Sequence, residues 1–315
     1  MCFSGVIHSV FHHACNVSLK SDELLTLVSS EKGNFPQGIR LETSPKFTFL
    51  NQLRVGQPVA CRGGIIRISG SDLSIDLRTA SHWHVDLKGL RVDLHQRDTA
   101  QAWAVAWVEL GKHRRGDGIS GMIAAIPLPR QNPVTSPGIK ILVERAVQTL
   151  PALINATRNF QVEGAITAIR PLIGLGPGLT PSGDDFIVGY LAGLWCTAGS
   201  ESSRVRFLSS LGAWLSQAAA GTNAISRTYI QSAINGNVSE PMATLAQRVG
   251  HPKNMDRVRE AARTALQVGN TSGADGVLGL LLGCLAWAAP SLHKQKARAI
   301  FRRFTQDRRS RQCCL

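Results

Sequence analysis

The spacing of hydrophobic and polar positions changes character near residue 95. Upstream, apolar residues come in short runs with period two. Ile65-Ile66-Arg67-Ile68 and Leu73-Ser74-Ile75-Asp76-Leu77 read as strands, and Ser69-Gly70-Ser71-Asp72 supplies the turn of a hairpin. Leu24–Ser29, Gly38–Leu41 and 47–50 are further strand candidates, with Gly56-Gln57-Pro58 as another turn. Downstream, apolar residues recur every three or four positions, the period of an amphipathic helix. Helices are predicted over 100–110, where Trp103 and Trp107 share one face, and over 201–219, 223–235, 240–249 and 254–267. A further helix opens at Ser136-Pro137 and runs to about Leu150, after a basic loop at 112–118 and a proline-rich connector at 127–137. The pattern predicts an α+β protein: a β-rich domain over 1–95, a helical domain over 96–292 and a tail over 293–315.

Composition narrows the class. Of the 315 residues, 43% are hydrophobic and 18% charged, which excludes a disordered or coiled-coil chain. The longest apolar run, 277–289, falls short of the roughly 20 residues that a membrane-spanning helix needs. The start lacks the basic and apolar blocks of a secretory leader. Seven cysteines, an odd number without a C-x-x-C pair, argue against a disulfide framework and against zinc. A cytoplasmic protein, not associated with membrane, is expected. His82 and His84 would share one face of a strand and could begin a metal site, although no third ligand is visible in the sequence. The net charge of +14 is uneven: eight Lys and Arg against Asp307 put half of it in 293–311, where Phe301 and Phe304 interleave with the charges. Such a block reads as a solubility or partner-contact tail. With no nucleic-acid-binding motif beside it, a nucleic-acid partner is not expected.

The most informative stretch is Ile173-Gly174-Leu175-Gly176-Pro177-Gly178-Leu179-Thr180-Pro181-Ser182-Gly183-Asp184-Asp185. Its glycines and prolines exclude a helix or strand interior, so it is a loop that delivers the chain to a helix running from Ser182 to about Cys196. A helix N-terminus with free N–H groups favours an anion. The signature returns 90 residues later: Ser182-Gly183-Asp184-Asp185 aligns with Ser272-Gly273-Ala274-Asp275, and Gly189 and Gly193 align with Gly279 and Gly283. Ser182 and Ser272 are expected to cap their helices, with Asp185 and Asp275 bonding back as a variant capping box. The helical glycines cost about 1 kcal/mol each relative to Ala, so the two helices are expected to touch along those faces. Asp184, which aligns with Ala274, and the long glycine loop are left unexplained by capping.

Chemically, Gly174, Gly176, Gly178, Thr180, Ser182 and Gly183 would cradle an anion, and Asp184 and Asp185 would orient an amide, move a proton or hold Mg²⁺. Asp275, Thr271, Ser272, Gly273, Thr222 and Ser226 would complete the pocket if the two helices run parallel. Thr222, Ser226 and Arg227 open another helix and could bind an acid. No Lys follows the last glycine, as a P-loop requires, and prolines interrupt any dinucleotide fingerprint. No resident cofactor is expected. A nucleotide-binding phosphotransferase and a non-catalytic assembly subunit remain alternatives.

Residues 174–189, together with Ser272-Gly273-Ala274-Asp275, resemble the signature of the bacterial AllH-type family. The resemblance covers roughly residues 1–290. It implies a subunit of an oxamate carbamoyltransferase, which interconverts oxalurate and phosphate with oxamate and carbamoyl phosphate in allantoin and purine breakdown. The implied partners are an FdrA-type subunit and a second subunit. The Ser-Thr-Arg-Thr loop of ordinary transcarbamylases is absent.

Overall fold

The computed structural model describes residues 2–20, 23–85, 87–113, 118–120 and 137–288, the last segment without side chains over 137–147. The connector at 121–136, most of the basic loop and the tail at 293–315 with its two phenylalanines lie outside the described residues. The protein is α+β. It divides into one unit of Met1–Val85 with Val238–Glu240 and a second of Asp86–Asn237 with Pro241–Leu315.

The first unit is a seven-stranded sheet of β1 (Phe3–Val10), β2 (Ala14–Leu19), β3 (Leu24–Ser29), β4 (Gly38–Leu41), β5 (Pro58–Arg62), β6 (Ile65–Ile68) and β7 (Ser74–Asp76). The order is β4-β3-β2-β1-β5-β6-β7, antiparallel except for the parallel β3–β4 pair. Alternate residues Ile7, Cys15, Val17, Val59, Cys61, Ile66, Ile68 and Ile75 fill one buried cluster. Three predicted strands, β3, β4 and β6, have the expected bounds, and the β6–β7 hairpin pairs Ile66 with Ile75. Strands β1, β2 and β5 were not legible. Gly5, His8 and Asn16 dilute their hydrophobic signal, and Pro58 suits a turn as well as the first position of a strand. Residues 47–50 are not a strand: the Thr48 hydroxyl accepts the Leu50 N–H at 3.3 Å and starts a short 3₁₀ turn, Phe49–Asn51, anchored by fully buried Phe49. His82 and His84 are exposed and irregular, so they do not share a strand face. Among the described residues no three His, Cys, Asp or Glu side chains come together as a metal group.

The second unit is helical: α1 (Arg97–Lys112), α2 (Pro137–Arg158), α3 (Val162–Ile169), α4 (Ser182–Ala198), α5 (Ser202–Ala218), α6 (Ala224–Ile234), α7 (Glu240–Gly250), α8 (Met255–Leu266) and α9 (Ser272–Ala286). Residues 87–95, read above as the close of the β-rich domain, run against this unit: Leu87, Leu90 and Val92 are buried, and the Val92 N–H donates to Cys196 at 2.7 Å. Helix α2 continues through Pro151 to Arg158, past the predicted end at Leu150. Buried Leu153, Ile154 and Thr157 hold the turns beyond it. A proline ring already has a helical φ, so the cost there is one lost hydrogen bond and some bending.

Helices α4 and α9 are buried on nearly every face, so they form the centre of the unit. Polar ends of aromatic side chains bind the surrounding helices to this pair. Trp103 Nε1 donates to Leu281 O at 2.9 Å, Tyr190 OH to Thr157 Oγ1 at 2.8 Å, and Trp195 Nε1 to Ile234 O at 3.0 Å. Trp103 stacks on Trp107 at 5.2 Å.

Candidate functional site

The central pair touches where side chains are missing. A Cβ on Gly189 would meet the carbonyl of Gly276, and one on Gly279 the carbonyl of Phe186; Gly193 and Gly283 face Leu280 and Tyr190 in the same way, all well under 3.0 Å. Residues 186 and 276, like 190 and 280, are themselves 90 apart, so the contacts are reciprocal. Both series ascend together. Helices α4 and α9 therefore run parallel, related by an approximate twofold, and their N-termini lie side by side.

The serines at these N-termini are not caps. Pro181 and Thr271 occupy the cap positions without a side-chain cap bond, and Ser182 and Ser272 are the first helical residues. The loops satisfy the first turns instead: Gly183 N–H donates to Leu175 O and Gly273 N–H to Val268 O, both at 2.8 Å. Only glycine fits at 183 and 273, since a Cβ would overlap Leu172 O and Ala265 O. Freed from capping, each hydroxyl faces across the twofold, Ser182 toward Asp275 and Ser272 toward Asp185. Thr180 Oγ1 lies 2.7 Å from Ser272 Oγ and also faces Asp185. The arrangement is a crossed pair of Ser–Asp partners at twin positive helix ends.

The three carboxylates differ. Asp184, 1% exposed, accepts the Gly174 N–H at 2.8 Å through Oδ1 and the Thr222 hydroxyl through Oδ2. It thus clamps the loop, where Gly174 has φ of +67°, to the turn before α6. Both its oxygens are occupied. Burial raises its pKa, opposed by Gly174, Thr222 and Ser226. Asp275 is fully buried, and its Oδ1 accepts the Ser120 N–H at 2.7 Å; burial pushes it up to about 6 against the pull of Ser120 and Ser182. Asp185 is only half-buried as a residue, but burial of its carboxyl and the charges of Asp275 and Asp184 hold its pKa well above the ordinary value against the Ser272 and Thr180 hydroxyls. The crossing serines are near but not aligned into full hydrogen bonds: Oδ2 of Asp185 and Oδ2 of Asp275 are closed off and without a partner.

The loop itself faces outward, with Gly174, Pro177, Gly178 and Leu179 exposed. The amides of Gly176, Gly178, Leu179, Thr180 and Ser182 meet no acceptor among the described residues. Open donors and half-open Asp185 therefore lie on the α4 side. Of the other sequence-predicted residues, Thr222 and Ser226 reach Asp184, Gly183 and Gly273 are packing residues, and Thr271 is the α9 cap position. Sequence reading missed Gly118-Ile119-Ser120. Gly118 packs against the Asp275 carboxylate so closely that no Cβ fits. The only local signal was a glycine closing the basic loop.

The fold and site define a two-unit α+β protein whose helical unit pairs two acids at adjacent helix starts, one of them entered through an exposed glycine-rich loop. Residues 1–82 match the AllH family N-terminal domain, and residues 172–284 match the family described as oxamate carbamoyltransferase subunit AllH. The chain belongs to the AllH family. The family description is that of one subunit of a carbamoyltransferase, which implies partner subunits. No solved structure matches the chain. Among the described residues no helix is long and apolar enough to cross a membrane.

Proposed function

We propose that this chain carries the substrate site of an oxamate carbamoyltransferase, working in the cytoplasm on allantoin- and purine-derived oxalurate with an FdrA-type subunit and a second partner. Phosphate is held by the amides of Gly176, Gly178, Leu179 and Thr180 and the α4 dipole. A phosphate oxygen attacks the ureido carbonyl carbon of oxalurate, and the bond to the oxamate nitrogen breaks. Its electron pair stays on that nitrogen, which takes a proton from the Asp185 carboxyl. The proton lost by hydrogen phosphate as its oxygen bonds to carbon restores the carboxyl. Carbamoyl phosphate and oxamate leave. In reverse, Asp185 accepts a proton from the oxamate amide.

A carboxyl whose pKa burial and neighbouring acids hold well above the ordinary value suits this role, since it keeps its proton more readily than an ordinary Asp. Asp275, held by the Ser120 amide, positions Ser182 and biases Asp185 toward its protonated form. No resident cofactor is required, because the carbamoyl group passes directly from nitrogen to phosphate. The observation that supports the reading is that the loop whose amides meet no acceptor leads directly into the helix start that carries Asp185, whose Oδ2 has no hydrogen-bond partner. Undisulfided buried Cys15, Cys196 and Cys284 support a reducing compartment.

The test is a thermal-shift panel on the full chain with carbamoyl phosphate, oxamate, oxalurate, phosphate and ATP, followed by oxalurate phosphorolysis in the reconstituted complex. Carbamoyl phosphate and oxamate should raise Tm, and Asp185→Asn should lower turnover by about 100-fold or more while keeping phosphate binding. Stabilisation by ATP alone would overturn the assignment.

A further inference from the structure

The reaction above involves two anions, and the open loop amides account for one. The other is a carboxylate, present in both oxalurate and oxamate and unchanged by the chemistry. At the start of α6, Asn223 caps the helix itself, accepting the Ile225 and Ser226 amides at 3.0 and 3.1 Å. The backbone donors there are therefore spent, and side chains are what remain. Ser226 is 1% exposed, and its Oγ lies near Asp184 without being aligned into a full hydrogen bond.

Arg227 follows it. Its Nε is closed to solvent and without an acceptor, and among the described residues its guanidinium meets no carboxylate. Comparable arginines are engaged: Arg204 pairs with Glu201 and donates to Thr197 O, Arg263 pairs with Glu109, and Arg170 lies over Trp214. Desolvating part of a guanidinium with no acceptor is costly unless an anion joins it. Helical side chains lean toward their own N-terminus, so Arg227 leans toward the first turn of α6, which follows the turn at Thr222. That turn is tied through Asp184 to Gly174 of the anion loop.

We infer that Arg227, assisted by Ser226, holds the substrate carboxylate and so makes the site selective for oxamate and oxalurate over neutral amides. A guanidinium fork matches a planar carboxylate bidentately, whereas the rounder phosphate suits the ring of loop amides. The inference rests on the carbamoyltransferase reading and is separable from it.

Oxamate, its neutral counterpart oxamide, and carbamoyl phosphate are titrated in thermal-shift assays of the full chain as wild type, Arg227→Gln, Arg227→Lys and Ser226→Ala. Wild type should be stabilised by oxamate and not by oxamide. Arg227→Gln should weaken oxamate at least about tenfold, the loss of a charged hydrogen-bond partner, with carbamoyl phosphate unaffected. Arg227→Lys should fall between, and it carries the test if the glutamine variant does not fold. Unchanged oxamate affinity in both Arg227 variants overturns the inference, as does an equal loss of carbamoyl phosphate, which would make Arg227 a phosphate ligand. If wild type binds neither oxamate nor carbamoyl phosphate, the carbamoyltransferase reading itself falls.

Discussion

The helix starts at Ser182 and Ser272 solve one packing problem and differ in what leads into them. Leu175 and Val268 both accept the second helical amide, and Gly176 and Gly269 both follow in the left-handed region. From there the chain takes seven residue steps from Leu175 to Ser182 but four from Val268 to Ser272. The three extra residues turn a tight connection into an exposed loop with open amides. The acids diverge in step: Asp275 is fully buried against Gly118 and Ser120, while Asp185 is only half-buried as a residue. An approximate twofold thus carries the structural load equally, and the proposed chemistry falls where the symmetry is broken.

Breaking the shared part should have the largest effect. Gly189→Ala and Gly279→Ala each place a Cβ inside the backbone of the opposite helix, and should cost about 3 kcal/mol, roughly 6–12 °C in Tm. Near-equal losses would bear out the twofold. Gly178→Ala, at φ of +96° with nothing within 4 Å, should cost only about 1–2 kcal/mol. Next comes the clamp that α9 lacks: Thr222→Val leaves a buried Asp184 oxygen unsatisfied and should lose about 1–3 kcal/mol in denaturant unfolding.

The pH dependence sharpens the contrast between the acids. Asp275 titrates at about 6 in the folded protein and near 3.8 when unfolded, so the native state retains a proton that the unfolded chain gives up. Its contribution to stability is best below pH 4, declines as pH rises from about 4 to 6, and is a constant penalty above. Asp275→Asn should therefore flatten the fall of Tm across that window. The smallest stability change is expected from deleting residues 177–179, which makes the α4 entry as short as that of α9. Tm should shift by no more than about 1 kcal/mol equivalent, since loop closure depends weakly on length. Stabilisation by phosphate should vanish; if it survives, the loop is not the anion site.

Much of this was legible in the chain. Period-two and period-3.6 patterns are local, so α1, α5, α6, α7 and α8 ended within about three residues of their predicted bounds. Strands β1, β2 and β5 escaped because a strand draws its stability from partners distant in sequence. Phe49 misled because an aromatic in a capped turn and one in a strand look alike locally. At the site, the repeated Ser-Gly-x-Asp and the glycine spacing were plain, but the serines' role was not. Whether Ser182 caps its own helix or faces Asp275 depends on which backbone oxygen reaches Gly183 first, and that oxygen belongs to Leu175 in the folded loop.

The sequence by itself determined that two glycine-faced helices would pack together and that one would be entered through an unusually long, polar-ended loop, because both are consequences of absent side chains and restricted backbone. Only the tertiary structure decided that the helices run parallel, that their acids and serines cross, and that Gly118-Ile119-Ser120 silences Asp275 and not Asp185. Direction, crossing and burial are relations between segments far apart in the chain, and no local pattern of residues encodes which of two similar acids will be fully buried and which only half-buried.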